Sequence, residues 1–157
     1  MTSSAIRALV REDLSAPSAI VAETGFFPPE MLGDLTSPFL DDESGGLWLV
    51  ASDGAAPVGF CHAVPEPLAE GVWTMLALGV LPSARRRGLA AALVSEIEAR
   101  LAGTGARLLI VDTSSGETFA PARRFYASQG YTLEARLGDF WAEGDDKLTF
   151  TRRFAPR

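Results

Sequence analysis

Leu78-Gly79-Val80-Leu81-Pro82-Ser83-Ala84-Arg85-Arg86-Arg87-Gly88-Leu89-Ala90-Ala91-Ala92-Leu93 decides how the rest of the chain is read. An apolar run from Trp73 to Leu81 stops at Pro82. Three arginines and a glycine follow. A helical pattern then begins, with Leu89, Leu93 and Ile97 at i, i+4 and i+8. Three adjacent arginines alone read as a solvated basic turn. Their place just before a helix changes that reading. The dipole disfavours cations at a helix N-terminus, so their presence there points to an anionic partner. The first turn of a helix also has unpaired backbone N–H groups, and phosphates bind such ends. Gly88 has no Cβ, so a ligand can come close to the backbone. Neither a Gly-x-x-x-x-Gly-Lys-Ser/Thr loop nor a Gly-x-Gly-x-x-Gly turn after a strand is present.

Outward from this stretch, the helix runs from about Arg86 to Leu101 and stops at Gly103-Thr104-Gly105. Arg107 to Asp112 follows, and its continuously apolar Leu108-Leu109-Ile110-Val111 suits a central strand covered on both faces. A strand–helix–strand unit is right-handed and sets its two strands parallel. Ligands bind beyond the C-terminal ends of such strands, here Val80 and Asp112. Thr113 to Thr118 reads as a polar loop. Thr118 is a candidate cap for a helix with Pro121 in its first turn, carrying Ala122, Phe125 and Tyr126 to Gly130. Tyr131 to Leu137 is a strand. Asp139-Phe140-Trp141 and Gly144-Asp145-Asp146 read as an acidic, aromatic loop before a last strand from Leu148 to Phe154.

Toward the N-terminus, Ala5 to Val10 reads as a strand. Asp13 or Ser15 caps a helix that runs to about Glu23 and stops near Gly25. Pro28-Pro29 opens a second helix with Met31, Leu32 and Leu35 on one side. Asp41 to Gly46 is a solvated loop. Leu47 to Ala51 and Val58 to Val64 are strands joined around Asp53-Gly54. His62, alone on a strand, reads as packed or solvated rather than catalytic.

At the central stretch the sequence resembles the GNAT superfamily of acyl-CoA-dependent N-acetyltransferases. Arg85-Arg86-Arg87-Gly88-Leu89-Ala90 is similar to the family's Gln/Arg-x-x-Gly-x-Gly/Ala motif. Leu78-x-Val80-x-Pro82 looks like the strand that leads into it. Tyr126-Ala127-Ser128-Gln129-Gly130-Tyr131 is similar to the family's Tyr-x-x-x-Gly-Phe/Tyr signature. The clear likeness spans residues 73–133. It implies an α/β (α+β) GNAT fold: a mixed, mostly antiparallel sheet of about six to seven strands, a central parallel pair splayed at the cofactor site, and about four helices. It also implies acetyl-CoA or coenzyme A as co-substrate, with phosphates on Arg85, Arg86, Arg87, Gly88, Ala90 and Ala91. The pantetheine arm would lie along Leu78 and Val80. Tyr126 would touch the cofactor and act as the general acid that protonates the departing thiolate.

The chain departs from the family at two positions. It has Phe119 where many members have asparagine, and Thr74 where some have a glutamate base. Glu66, Glu70 and Asp112 are candidate bases, with water as an alternative. Glu70, Asp112 and Trp141 are expected at the amine acceptor. The activity implied is transfer of an acetyl group to a primary amine of a small molecule or peptide. The other reading is a catalytically silent acyl-CoA sensor or interaction domain.

Bulk properties narrow the classes. The 157 residues suit one domain, 1–157, large enough for a sizeable core. A net charge of −6 argues against a general nucleic-acid or anionic-membrane binder and fits a cationic acceptor. The lone Cys61 excludes an internal disulfide and offers no zinc cluster, so no metal is expected. Met1 to Asp13 has no apolar signal core, and no apolar run approaches the ~18 residues of a spanning helix. The expected compartment is the cytoplasm, as a monomer or homodimer.

Overall fold

The strand, basic turn, helix and second strand form as the pattern predicts, and they stand at the middle of the sheet. A computed structural model describes residues 5–24, 29–41, 46–54 and 56–155. In chain order the elements are β1 (Ala5–Ala8), α1 (Ser15–Thr24), α2 (Leu32–Leu40), β2 (Leu47–Ser52), β3 (Pro57–Pro65), β4 (Val72–Val80), α3 (Leu89–Ala102), β5 (Leu108–Ser114), α4 (Ala120–Ser128), β6 (Thr132–Ala142) and β7 (Asp145–Arg153). One sheet of seven strands runs β1-β2-β3-β4-β5-β7-β6. Only β4 and β5 are parallel; every other neighbour is antiparallel. The expected mixed sheet and its central parallel pair are therefore present.

The core lies on both faces. On one, α3 buries Leu89, Leu93, Val94, Ile97 and Leu101. They pack with Leu49, Cys61, Met75, Leu109, Val111, Leu148 and Phe150, and with Tyr126 of α4. Each such aliphatic side chain contributes about 1.5–3 kcal/mol on burial. On the other face, Ile20 and Val21 of α1 and Leu32 of α2 cover Trp48, Val50 and Phe60. His62 is buried there, stacked on Trp48 at 3.9 Å between ring centroids. Burial lowers its pKa to about 4, so it is neutral at pH 7, and of the packed and solvated alternatives it is the packed one.

Several local expectations are corrected. Helix α3 begins at Leu89 rather than Arg86, because Gly88 takes a left-handed conformation at φ 75°. Thr118 does not cap α4: it lies inside a 3-10 turn, Glu117–Phe119, and Phe119 is the N-cap residue. Thr113 and Ser114 still belong to β5 rather than to a loop. Met31 is 47% exposed, in a 3-10 turn, while Leu32 is buried. Residues 139–141 are not a loop, because β6 runs on to Ala142. Gly25, Pro28 and residues 42–45 lie outside the described residues.

Asp13 does not cap α1 either. Its carboxylate turns back toward the first strand and accepts the Val10 N–H at 2.9 Å. It also accepts two bonds from the Arg7 guanidinium, at 2.6 and 2.8 Å. The Arg7 hydrogen bond, helped by Val10, holds its pKa below the ordinary carboxylate range. Asp13→Ala is expected to cost about 1–3 kcal/mol at pH 7 by stranding these donors. The depressed pKa gives the sign. The carboxylate's contribution is complete above the unfolded value of about 3.9 and fades as pH falls through the folded value. Thermal melts of parent and variant should therefore differ most at neutral pH and converge below about pH 4.

Candidate active site

Parallel pairing between β4 and β5 lasts for three pairs, Val72↔Leu108, Trp73↔Leu109 and Thr74↔Ile110. Beyond Thr74 the strands part. The cause is visible on the other edge of β4. His62 pairs with Ala77 but Ala63 with Met75, so Leu76 is an extra residue. Such a bulge bends its strand and leaves one residue unpaired. Continued in the same register, the pairing would join Met75–Leu78 to Val111–Ser114. Those eight residues instead line a cleft of about 410 Å³.

The cleft passes through the sheet, and its two mouths differ. Cα partners in a ladder share a face, and neighbours along a strand alternate. Leu148 and Phe150 belong to the α3/α4 core, so Lys147 and Thr149 point to the opposite face. Their partners Ser114 and Asp112 point there too. The Ser114 hydroxyl donates to the Asp145 carboxylate, which places Asp145 beside them. Tyr126, Phe119 and Ala122 close the cleft on the α4 side. Asp112 and Asp145 line it with Trp141, whose Nε1–H donates to the Thr113 carbonyl at 3.2 Å.

Tyr126 is 7% exposed. Its ring packs against Phe125, Tyr131 and Phe150, with centroids 5.4–5.8 Å away. The side chain thus both packs in the core and lines the cleft. Its hydroxyl has no hydrogen bond among the described residues. Burial raises its pKa above the ordinary tyrosine value, and Cys61 adds to the shift, so the proton is held at neutral pH. Cys61 is itself buried, its pKa pushed up to about 12, which keeps it a thiol.

Leu78 lines the cleft, while Val80 is buried at the end of β4 and its carbonyl accepts Arg85 Nε–H at 3.3 Å. The basic turn follows. Arg87 is paired with Asp53 of the β2–β3 connection. Nothing in the local sequence pairs these two, and Asp53 was not among the expected site residues. Arg86 is exposed, has no partner among the described residues and holds a left-handed backbone at φ 63°. Such a backbone is costly for a residue with a Cβ, and such outliers gather at functional sites. Gly88 N-caps α3 with no side-chain cap, which leaves the first-turn N–H groups around Ala90 and Ala91 open. A Cβ built on Gly88 meets nothing within 4 Å.

Glu70 stands apart from the cleft. Its carbonyl accepts the Arg107 guanidinium at the far end of β4 and β5. Glu66 accepts the Thr74 hydroxyl at 2.6 Å and does not line the cleft. Asp139 and Asp146 are spent locally. Asp139 accepts the Gly144 N–H, and Asp146 accepts the Asp139 N–H and the Arg136 guanidinium. Asp112 and Asp145 face the opening. Among the described residues no His/Cys/Asp/Glu group could hold a metal, and no helix is long and apolar enough to cross a membrane.

Residues 8–131 match the Acetyltransferase (GNAT) family. The fold is similar to a crystal structure from Desulfovibrio desulfuricans assigned to that family, at 30% identity and TM-score 0.86, over 98% of this chain and 100% of that one. It is also similar to a ribosomal-protein-alanine N-acetyltransferase from Brucella melitensis, at 20% identity and TM-score 0.80, over 96% and 99%. A third similar structure is an aminoglycoside 6'-N-acetyltransferase complexed with coenzyme A, at 18% identity and TM-score 0.77, over 98% of both chains.

Proposed function

The chain belongs to the GNAT family of acetyltransferases, and from that premise we propose that it moves an acetyl group from acetyl-CoA to a primary amine, with Tyr126 as general acid. The observation that carries this reading is the cleft through the sheet, with a protonated, unpartnered phenol on one side and two carboxylates on the other. The residues present fit the donor. Arg86 and the uncapped start of α3 offer positive charge and N–H groups to phosphates, and Gly88 leaves open space beside them. Arg85 and Arg87 shape the turn through Val80 and Asp53. The open backbone of Leu78 lies next to the expected path of the pantetheine arm. The donor supplies the activated acetyl group as a thioester.

The chain's own contribution is position and proton transfer. Holding donor and amine in one gap contributes several kcal/mol. Tyr126 gives its hydroxyl proton to the sulfur as the C–S bond breaks, worth roughly 10²–10⁴-fold. Asp112 and Asp145 attract an ammonium on the opposite face, and Trp141 flanks its carbon chain. Asp112 is the carboxylate placed to take the amine's proton, directly or through water. Glu70 has no part in this arrangement.

Thiol release from acetyl-CoA across a panel of amines tests the function. Cationic amines such as polyamines, amino sugars or lysine-bearing peptides are expected to turn over faster than anionic amines such as glutamate. Their advantage should shrink as salt screens the acidic mouth. Activity confined to anionic amines would overturn the acceptor assignment.

A further inference from the structure

Lys147 is the single lysine in the chain, and the fold sets it beside the acceptor mouth. It pairs with Ser114 in the ladder, one of the residues where β5 parts from β4. Its Nζ is 3.9 Å from Asp112 Oδ2, and Asp112 lines the cleft. The same Nζ sits 4.3 Å from the centroid of the Phe140 ring. The Asp112 carboxylate is further fixed by the Thr149 hydroxyl at 2.6 Å. The chain's one side-chain amine of this type therefore stands on the face where an acceptor would arrive, next to the Asp112 carboxylate.

We propose that Lys147 is a self-acetylation site: in the absence of another acceptor, its ε-amine is the acceptor. This rests on the reading that the cleft holds the thioester. The step balances. The ammonium gives one proton to Asp112, which passes it to solvent. The neutral nitrogen attacks the acetyl carbonyl carbon. The C–N bond forms, the C–S bond breaks, and the sulfur takes a proton from the Tyr126 hydroxyl. The amide nitrogen sheds its second proton, which restores Tyr126 through solvent. Lysine's flexible four-carbon stem lets Nζ leave Phe140 and reach inward. The product lacks a positive charge, so Asp112 loses its partner and the acceptor mouth becomes more negative. Self-acetylation would thus raise the site's preference for cationic amines.

The test uses the full chain with acetyl-CoA and no added amine, read by intact mass and peptide mapping. One acetyl group on the Lys147 peptide is expected. It should be lost when excess desulfo-coenzyme A, which cannot donate an acetyl group, fills the cleft. In Lys147→Arg that peptide should stay unmodified. Equal modification of heat-unfolded protein, or modification that desulfo-coenzyme A leaves unchanged, would show spontaneous chemistry and overturn the proposal. An unmodified Lys147 in protein that acetylates free amines overturns the proposal and leaves the enzyme reading standing. Failure of both removes both.

Discussion

Gly88→Glu loses coenzyme A binding while remaining folded. Gly88 sits at φ 75° as the N-cap of α3, and a Cβ there meets no protein atom within 4 Å. The substitution therefore causes no clash in the free protein. Its cost is the left-handed backbone, about 1–2 kcal/mol, which lowers the melting temperature by about 2–4 °C per kcal/mol in a chain of this size. The electrostatic effect is larger. A carboxylate about 4 Å from a phosphate costs about 4 kcal/mol at an effective dielectric of about 20, or roughly a thousandfold in Kd. Gly88→Ala separates the two effects, since it bears the same backbone strain without the charge. Coenzyme A should raise the parent's melting temperature by mass action, raise that of Gly88→Ala less, and leave Gly88→Glu unmoved. If Gly88→Glu binds as tightly as the parent, the phosphate cradle lies elsewhere.

What the sequence revealed depended on whether a feature was periodic or distant. Leu89, Leu93 and Ile97 repeat along one helix face, so α3 and its position between parallel strands were legible. The bulge at Leu76 was not. Met75-Leu76-Ala77-Leu78 is apolar with or without an extra residue, and no period marks the slip. That slip makes the cleft. Gly138-Asp139 has the composition of a turn, so the sequence alone reads as a strand that ends near Leu137. Asp139 does take φ 54°, a conformation aspartate tolerates, yet the strand continues past it. Losing that strand cost the distinction between the acids. Alternation along β7 puts Asp145 toward the opening and Asp146 on the other face with Arg136. Read as a loop, the two looked equivalent. The pairing of Asp53 with Arg87 joins residues far apart in sequence, and only the folded hairpin brings them together. Glu70 looked like a site residue because it is acidic and precedes β4, but the cleft opens toward the other end of that strand.

Tyr126→Phe lowers kcat by roughly 10²-fold or more and leaves the fold intact. The substitution keeps the ring, so its contacts with Phe125, Tyr131 and Phe150 survive. It deletes a hydroxyl that faces the cleft and has no protein hydrogen bond, so no partner is stranded. Removing a hydroxyl on which no protein group depends is near neutral. The melting temperature should therefore hold. Coenzyme A affinity should change little, because the site proposed for its phosphates is the basic turn, away from this hydroxyl. The loss is expected in the chemical step, where the departing thiolate takes a proton. Burial raises the tyrosine pKa, which sets the pH dependence. The acid form is complete below the ordinary value of about 10, so the parent's kcat should show no fall from this group at lower pH. A fall in stability rather than rate would make Tyr126 a packing residue. An unchanged kcat, measured where chemistry limits turnover, would mean that water or another group supplies the proton.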